Sequence, residues 1–436
     1  MSSPLLQRIA EEQATAANAL GGSAAVCARR RRALDALLAT GLPTPRDENW
    51  RYANLRPLER MRFAPASVGT AEAAPSLIDA GCLPPRVPGF TRYVFVDGAH
   101  APTLSSQAEQ AAAARVSIGA PTAPARESRE RRQPEAAFAL LNEVFATDGL
   151  RIEVDRDIET PARIEIVFVA TAQPGASYPR VSIVAGPNAA LELIERHVCH
   201  GDGSSLVDSV VDVCANEGSR IEHYRLQQLG ARALSIDTLA AALARASVYR
   251  LHSFALGAQS ARSTLEVRLE AEGAELGLHA VAAADRHQVL DTHAIVEHAA
   301  PHTRTEESFR GVAAGRARVA FNGKIIVQPG CHGADSSQSL RGLLAGADAE
   351  IDVRPQLEIY TDDVRCSHGA TAGKLDEGML FYLLSRGLDR ATAQRLLKWA
   401  FLEEVVSKVN VAELRRQIEA SLAGQLQETE TLKELL

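Results

Sequence analysis

The feature that most limits the fold of this chain is a weak internal repeat. From Ile152 to about Gly373 the sequence breaks into short runs of alternating apolar residues, split by Gly, Asn and Asp turns. Ala190-Leu191-Glu192-Leu193, Arg220-Ile221-Glu222-His223, Ser247-Val248-Tyr249-Arg250, Glu275-Leu276-Gly277-Leu278, Arg318-Val319-Ala320-Phe321 and Glu350-Ile351-Asp352-Val353 share one form. The apolar anchors Leu191, Ile221, Val248 and Leu276 recur at roughly 30 residues, and after a longer gap the pattern returns at Val319 and Ile351. A unit this small cannot bury its apolar face alone. Successive units must stack, and a two-residue period within each predicts strands rather than helices. The pattern therefore predicts a β-solenoid; an irregular β-sandwich is the other arrangement it allows.

Both flanks are helical in character. Leu5, Ile9 and Glu12 open one candidate helix, and Ala33, Leu34, Leu37 and Leu38 form an i, i+3, i+4 face before Pro43 and Pro45. Residues 64–134 are rich in Ala, Pro and charge, with one strand-like stretch, Tyr93 to Val96, closed by Asp97-Gly98. Near the other end Asp376 is a candidate N-cap, Gly387 a helix stop and Asp389 a second N-cap. The helix after Asp389 carries Ala393, Leu396, Leu397, Ala400, Phe401 and Val405 on one face. A third, more polar helix is expected from about Ala412 to the end. The expected organisation is an N-terminal helical region (1–148), a β core (149–372) and a C-terminal helical domain (373–436).

Composition excludes several function classes. A net charge of −7 argues against broad nucleic-acid binding, which needs a basic face. No apolar run approaches the roughly 18–20 residues that span a membrane. Glu11 and Glu12 come early, and the Arg29–Arg32 run follows the first helical stretch, so no secretory signal is read. The six cysteines are scattered without a CxxC pair, which fits a reducing, cytoplasmic setting.

The chemistry-bearing motifs narrow further. Gly369 to Lys374 resembles a phosphate-binding loop, but it is one residue short between glycines. Leu375 stands where the Mg²⁺-binding Ser or Thr would be. No GxGxxG opens a helix after a strand, and no GxSxG elbow is present. His279, His287, His293, His298 and His302 cluster in sequence, yet alternate strand residues face opposite sides, so they are not expected to converge. The adjacent pairs Cys199-His200 and Cys331-His332 point apart for the same reason. Cys366-Ser367-His368 differs: residues two apart on a strand share a side, so a thiolate and an imidazole can reach one metal ion together. Two ligands do not close a site, so a partner chain or exogenous thiol must complete it. A buried cysteine beside a satisfied histidine is the plainer alternative.

The stretch from Pro355-Gln356-Leu357-Glu358-Ile359-Tyr360-Thr361-Asp362-Asp363-Val364-Arg365-Cys366-Ser367-His368 through Gly369-Ala370-Thr371-Ala372-Gly373 closely resembles the signature of the SufB/SufD family. It continues through Leu375-Asp376-Glu377, Leu380 to Leu383 and Ser385 to Leu388. Pro45 to Tyr52 and His287 to His293, with Glu297-His298, resemble further family motifs. SufB members carry Glu-His-Glu where this chain has Cys-Ser-His-Gly, which sides it with the SufD branch. The resemblance implies a right-handed parallel β-helix flanked by helical domains. It implies a non-catalytic scaffold that pairs with SufB through the β-helix and docks the ATPase SufC on its C-terminal helices, or pairs with itself when alone. It implies a transient iron–sulfur cluster at the SufB interface, with His368 and Cys366 as candidate ligands. For the SufC contact it implies the region of Phe381, Leu384, Arg386, Leu397, Phe401 and Glu404. A β-helix polysaccharide lyase or hydrolase is the rival enzyme reading, against which an aromatic content of 5% argues; a purely structural homodimer that binds SufC but no metal is the second rival.

Overall fold

The computed structural model describes residues 3–66, 78, 80–106, 114–119, 136–158, 160–171, 175–201 and 203–425. The chain is mainly β, a solenoid of about eight turns with helices at both ends. Successive strands alternate between two sheets. The first sheet runs Ala162–Ala170, Ala190–Cys199, Arg220–Gln228, Val248–Ala255, Glu275–Ala284, Arg304–Ala313, Asp335–Leu344 and Arg365–Gly373, all parallel. The second runs Gly149–Val154, Arg180–Ala185, Leu206–Ala215, Leu234–Leu243, Ser260–Leu269, Val289–His298, Arg318–Val327 and Glu350–Ile359, likewise parallel.

In-register stacking builds straight columns of side chains. Leu191, Ile221, Tyr249 and Leu276 form one bore-facing column of the first sheet. The anchor placed by pattern at Val248 is thus one residue out, because Val248 pairs with Arg220 and Tyr249 takes the inward place. The longer gap in the repeat also has a physical cause. The same column continues as Thr305, Ser336 and Cys366, which are polar, whereas Val319 and Ile351 belong to a column of the second sheet. Much of the bore core is aliphatic and aromatic, from Ile164 and Leu193 to Phe309, Phe321 and Leu340. Turns stack too: Asn188, Gly218 and Ala246 all have positive φ, and each donates its N–H to the turn of the next coil.

The two ends of the solenoid differ. At the N-terminal end each sheet finishes in a short antiparallel strand: Ala99–His100 on Thr91–Val96, which itself pairs with Ala162–Ala170, and Ala114–Gly119 on Gly149–Val154. At the C-terminal end, Glu350–Ile359 and Arg365–Gly373 each have a strand partner on one side only among the described residues.

Helices cover the outer faces instead. Helices Pro4–Leu20, Ala24–Thr40 and Ala136–Phe145 pack over Leu206, Leu234 and Ile236 of the second sheet. The 45–52 motif straps this region down. Trp50 lies 5.3 Å from the Phe138 ring and 4.5 Å from the Arg262 guanidinium, while Glu48 accepts from Arg354 at 2.7 Å. Helices Arg390–Val406 and Ala412–Gln425 cover the first sheet, through Leu402, Val405, Val406, Leu414, Ile418 and Leu422 on Tyr224, Phe254 and Val281. The face expected from spacing is rotated: Leu402 and Val406 are buried, Leu396, Leu397 and Phe401 are half-buried and Ala400 is exposed. A helix buries whatever meets its sheet, and the first half of Arg390–Val406 contributes only Ala393 to the buried set. Of the third helix, residues 426–436 lie outside those described.

Candidate functional site

The open C-terminal end of the solenoid holds the two candidate ligands. Cys366 and His368 occupy the last rungs of two bore-facing columns on Arg365–Gly373. Cys366 is half-buried, packed with Val364 against Val327, Cys331 and Ala334. Burial pushes its thiol pKa up, and Asp335 adds to the shift. His368 is exposed. Because the strand is extended, both side chains leave the same face, as their two-residue spacing requires. Among the described residues no group of three His, Cys, Asp or Glu side chains forms a metal cage. The pair is therefore an incomplete donor set.

Beneath each ligand the bore turns polar. Under Cys366 lie Ser336 and Thr305, and His298 holds its ring between Thr303 (2.8 Å) and Thr305 (3.0 Å). Burial pushes the His298 pKa down to about 4, so the ring is neutral at pH 7. Cys331 donates its thiol to the His298 carbonyl at 3.3 Å, and burial raises its pKa. Under His368 the column runs Gln338, then Glu307, then Leu278. Gln338 and Glu307 are buried, and Gln338 donates through Nε2 to Glu307 Oε2. Burial pushes the Glu307 carboxyl up to about 7, with the Gln338 hydrogen bond working the other way. The motif reading passed over Glu307 and Gln338, and weighed Cys331 only as the neighbour of His332. The one signal for them was the break in the apolar repeat.

A family model described as "SUF system FeS cluster assembly, SufBD core domain" matches residues 168–401, which take in most of the stacked strands and the open end. The chain belongs to the SufB/SufD family. Within the family it is SufD-like: it is 31% identical over 409 residues to the iron–sulfur cluster assembly protein SufD of Escherichia coli K12, covering 90% of this chain and 91% of that one. An iron–sulfur cluster assembly SufBD family protein of Synechocystis is 27% identical over 408 residues, 89% of each chain. A SufBD family protein of Mycobacterium leprae is 25% identical over 288 residues, 64% of this chain and 72% of that one.

Against this SufB/SufD frame, the six C-terminal residues singled out by sequence occupy different environments. Phe381 is 72% exposed, next to exposed Met379 and Tyr382, and Arg386 lies with its guanidinium 5.0 Å from the Tyr382 ring. Leu384 and Leu397 are half-buried. Phe401 and Glu404 are engaged within the chain. Phe401 packs against the helix–sheet core, and Glu404 receives both Nε and Nη2 of Arg310, whose guanidinium is buried.

The five clustered histidines from His279 to His302 do not converge, as alternation predicts. His279 lies on the outer face of the first sheet beside Lys408, and His293 is buried on the outer face of the second. His287 and His302 sit in turns, and His298 faces the bore. A further charged cluster sits deep in the bore. Glu195 accepts from His197 (2.6 Å), His223 (3.1 Å) and Arg225 (2.8 Å), and Arg225 also donates to Asp237 at 2.6 Å. Burial alone would raise the Glu195 pKa, but Arg225 and the two histidines hold it well below the usual carboxylate range. Every charge there has a partner, so the cluster reads as a buried structural network.

Among the described residues, no helix is long and apolar enough to cross a membrane.

Proposed function

We propose that this chain is a non-catalytic scaffold subunit of a SUF assembly complex, pairing with SufB through the open end of its solenoid and docking the ATPase SufC on its C-terminal helices. The observation that carries the reading is the uncapped last coil. A stacked-strand protein needs a closing cap at each end, and an unpaired parallel edge is a template for another chain. The N-terminal end finishes in short antiparallel strands, while the other end presents the full-length parallel strands Glu350–Ile359 and Arg365–Gly373 as edges. Ile359 and Tyr360 are exposed there, Tyr360 by 58%. A partner strand laid along these edges would satisfy the free backbone groups and cover both rings and aliphatic chains.

Cys366 and His368 lie on that same edge, so a partner would supply the missing donors. The iron–sulfur cluster is cargo at this junction, built between two chains and then released. The exposed Met379, Phe381 and Tyr382 patch, with Arg386 on its rim, has the apolar centre and charged border of a docking face. ATP binding by SufC would then pull on helices tied to the first sheet and move the edge strands, which requires ATP to favour one of two states.

The test is the double variant Ile359→Lys, Tyr360→Lys, co-expressed with SufB and analysed by size exclusion. Pairing should be lost while the isolated chain keeps its thermal midpoint; a self-paired dimer through the same edges would be lost too. Unchanged pairing with SufB would overturn the reading.

A further inference from the structure

The polar column beneath His368 has a geometry that simple packing does not require. Leu278, Glu307, Gln338 and His368 stand on successive rungs, about 4.8 Å apart. Glu307 and Gln338 are nearly sealed from solvent, at 1% and 3% exposure, in a bore otherwise lined here by Phe309, Phe321 and Leu340. The space they use is provided for. Gly323 on the facing sheet has no side chain to obstruct them; a Cβ there would stand 2.3 Å from Gln338 Nε2 and 3.1 Å from Glu307 Oε2. The Gln338 amide commits its NH2 group to Glu307, and its Oε1 is buried without a partner. An amide has two ends, and here the NH2 end faces the Glu307 carboxyl oxygen on the inner rung. The carbonyl oxygen has no partner, and the next rung outward is the one His368 occupies.

We propose that Gln338 is a positioning residue for His368, its amide oxygen held toward the open end by Glu307 so that it accepts the ring N–H of His368 when the other ring nitrogen binds iron. Such an acceptor fixes the tautomer and the ring plane of a ligating histidine and raises its basicity. The proposal rests on the reading of His368 as a ligand. It adds that the ligand's support is built into this chain and does not come from the partner.

The experiment uses the complex with SufB and SufC, reconstituted anaerobically with Fe²⁺ and sulfide. Apparent iron affinity is measured for wild type, Gln338→Leu, Gln338→Met, His368→Ala and the exchanged pair Glu307→Gln/Gln338→Glu. In the exchanged pair, Gln at 307 donates to the carboxylate at 338, whose second oxygen still faces His368. Affinity should fall roughly 10–100-fold in both apolar variants, the range typical of lost ligand support, and recover in the exchanged pair. A role in filling the bore would be met by Leu or Met and would show no recovery. Wild-type affinity in Gln338→Leu and Gln338→Met beside a defective His368→Ala overturns the positioning role alone, as does an exchanged pair as weak as Gln338→Leu. Wild-type affinity in His368→Ala overturns the ligand reading beneath it.

Discussion

Replacing Glu307 by Gln should stabilise the protein, and the gain should grow with pH. In the unfolded chain the carboxyl ionises near its ordinary value of 4.5; in the bore, burial holds it protonated up to about 7. Between those values the folded state binds more protons than the unfolded state, so stability falls as pH rises. The group's contribution is fully present below 4.5 and is lost as pH passes 7. The full difference corresponds to about 3 kcal/mol, at about 1.36 kcal/mol per pH unit. At pH 5 less than about 1 kcal/mol of it has been lost, and at pH 8 nearly all has, so the advantage of Glu307→Gln should widen by about 2–3 kcal/mol between them. Gln keeps the shape and can still accept from Gln338, so packing changes little. Urea unfolding of both proteins at pH 5 and pH 8, followed by far-ultraviolet circular dichroism, measures the gap. An equal gap at the two pH values would refute the reasoning, because it would place Glu307 in contact with water or a cation.

Glu404→Ala should destabilise the isolated chain by about 2 kcal/mol, because the buried Arg310 guanidinium loses its carboxylate and keeps only backbone acceptors on Phe309 and Ser339. Faster hydrogen exchange in Arg390–Val406 would accompany the loss; unchanged stability and exchange would mean that Glu404 serves a partner instead. Phe381→Asp should abolish co-purification with SufC and leave the thermal midpoint of the chain within about 1 °C, since the ring is 72% exposed. Retained SufC binding would remove the Met379, Phe381 and Tyr382 patch from the docking face. Cys366 should react with iodoacetamide at pH 7 more slowly than exposed Cys82, because burial keeps its thiol protonated; equal rates would contradict the packing against Cys331.

The solenoid was legible because strand alternation and a roughly 30-residue period are written in apolar residues. Where the columns become polar, at Thr305, Ser336 and Cys366, the same method sees a gap. The slip at Val248 arose because Val248 and Tyr249 are both apolar, and only register decides between them. Helix caps at Asp376 and Asp389 were readable since the capping hydrogen bonds are local, to Met379 at 2.9 Å and Thr392 at 3.0 Å. The buried face of the helix after Asp389 was not, because its orientation depends on a sheet that it meets through Arg310, 94 residues before Glu404 in sequence. Cys366 and His368 could be placed on one side from their spacing alone. Glu307 and Gln338 could not: Arg304-Thr305-Glu306-Glu307-Ser308 reads as a solvated edge until stacking turns Glu307 into the bore. The strap at Trp50 stood out as a motif, yet its partner Arg262 could be known only from the fold.

On the proposed function, the uncapped end of this SufD-like chain takes part in building a cluster with a second subunit. The most direct measurement is anaerobic iron and sulfide content of the complex with SufB and SufC, wild type against His368→Ala, with assembly checked by size exclusion. An intact complex is expected in both cases, with a cluster content near background in the variant. An intact variant complex loaded as fully as wild type would contradict it.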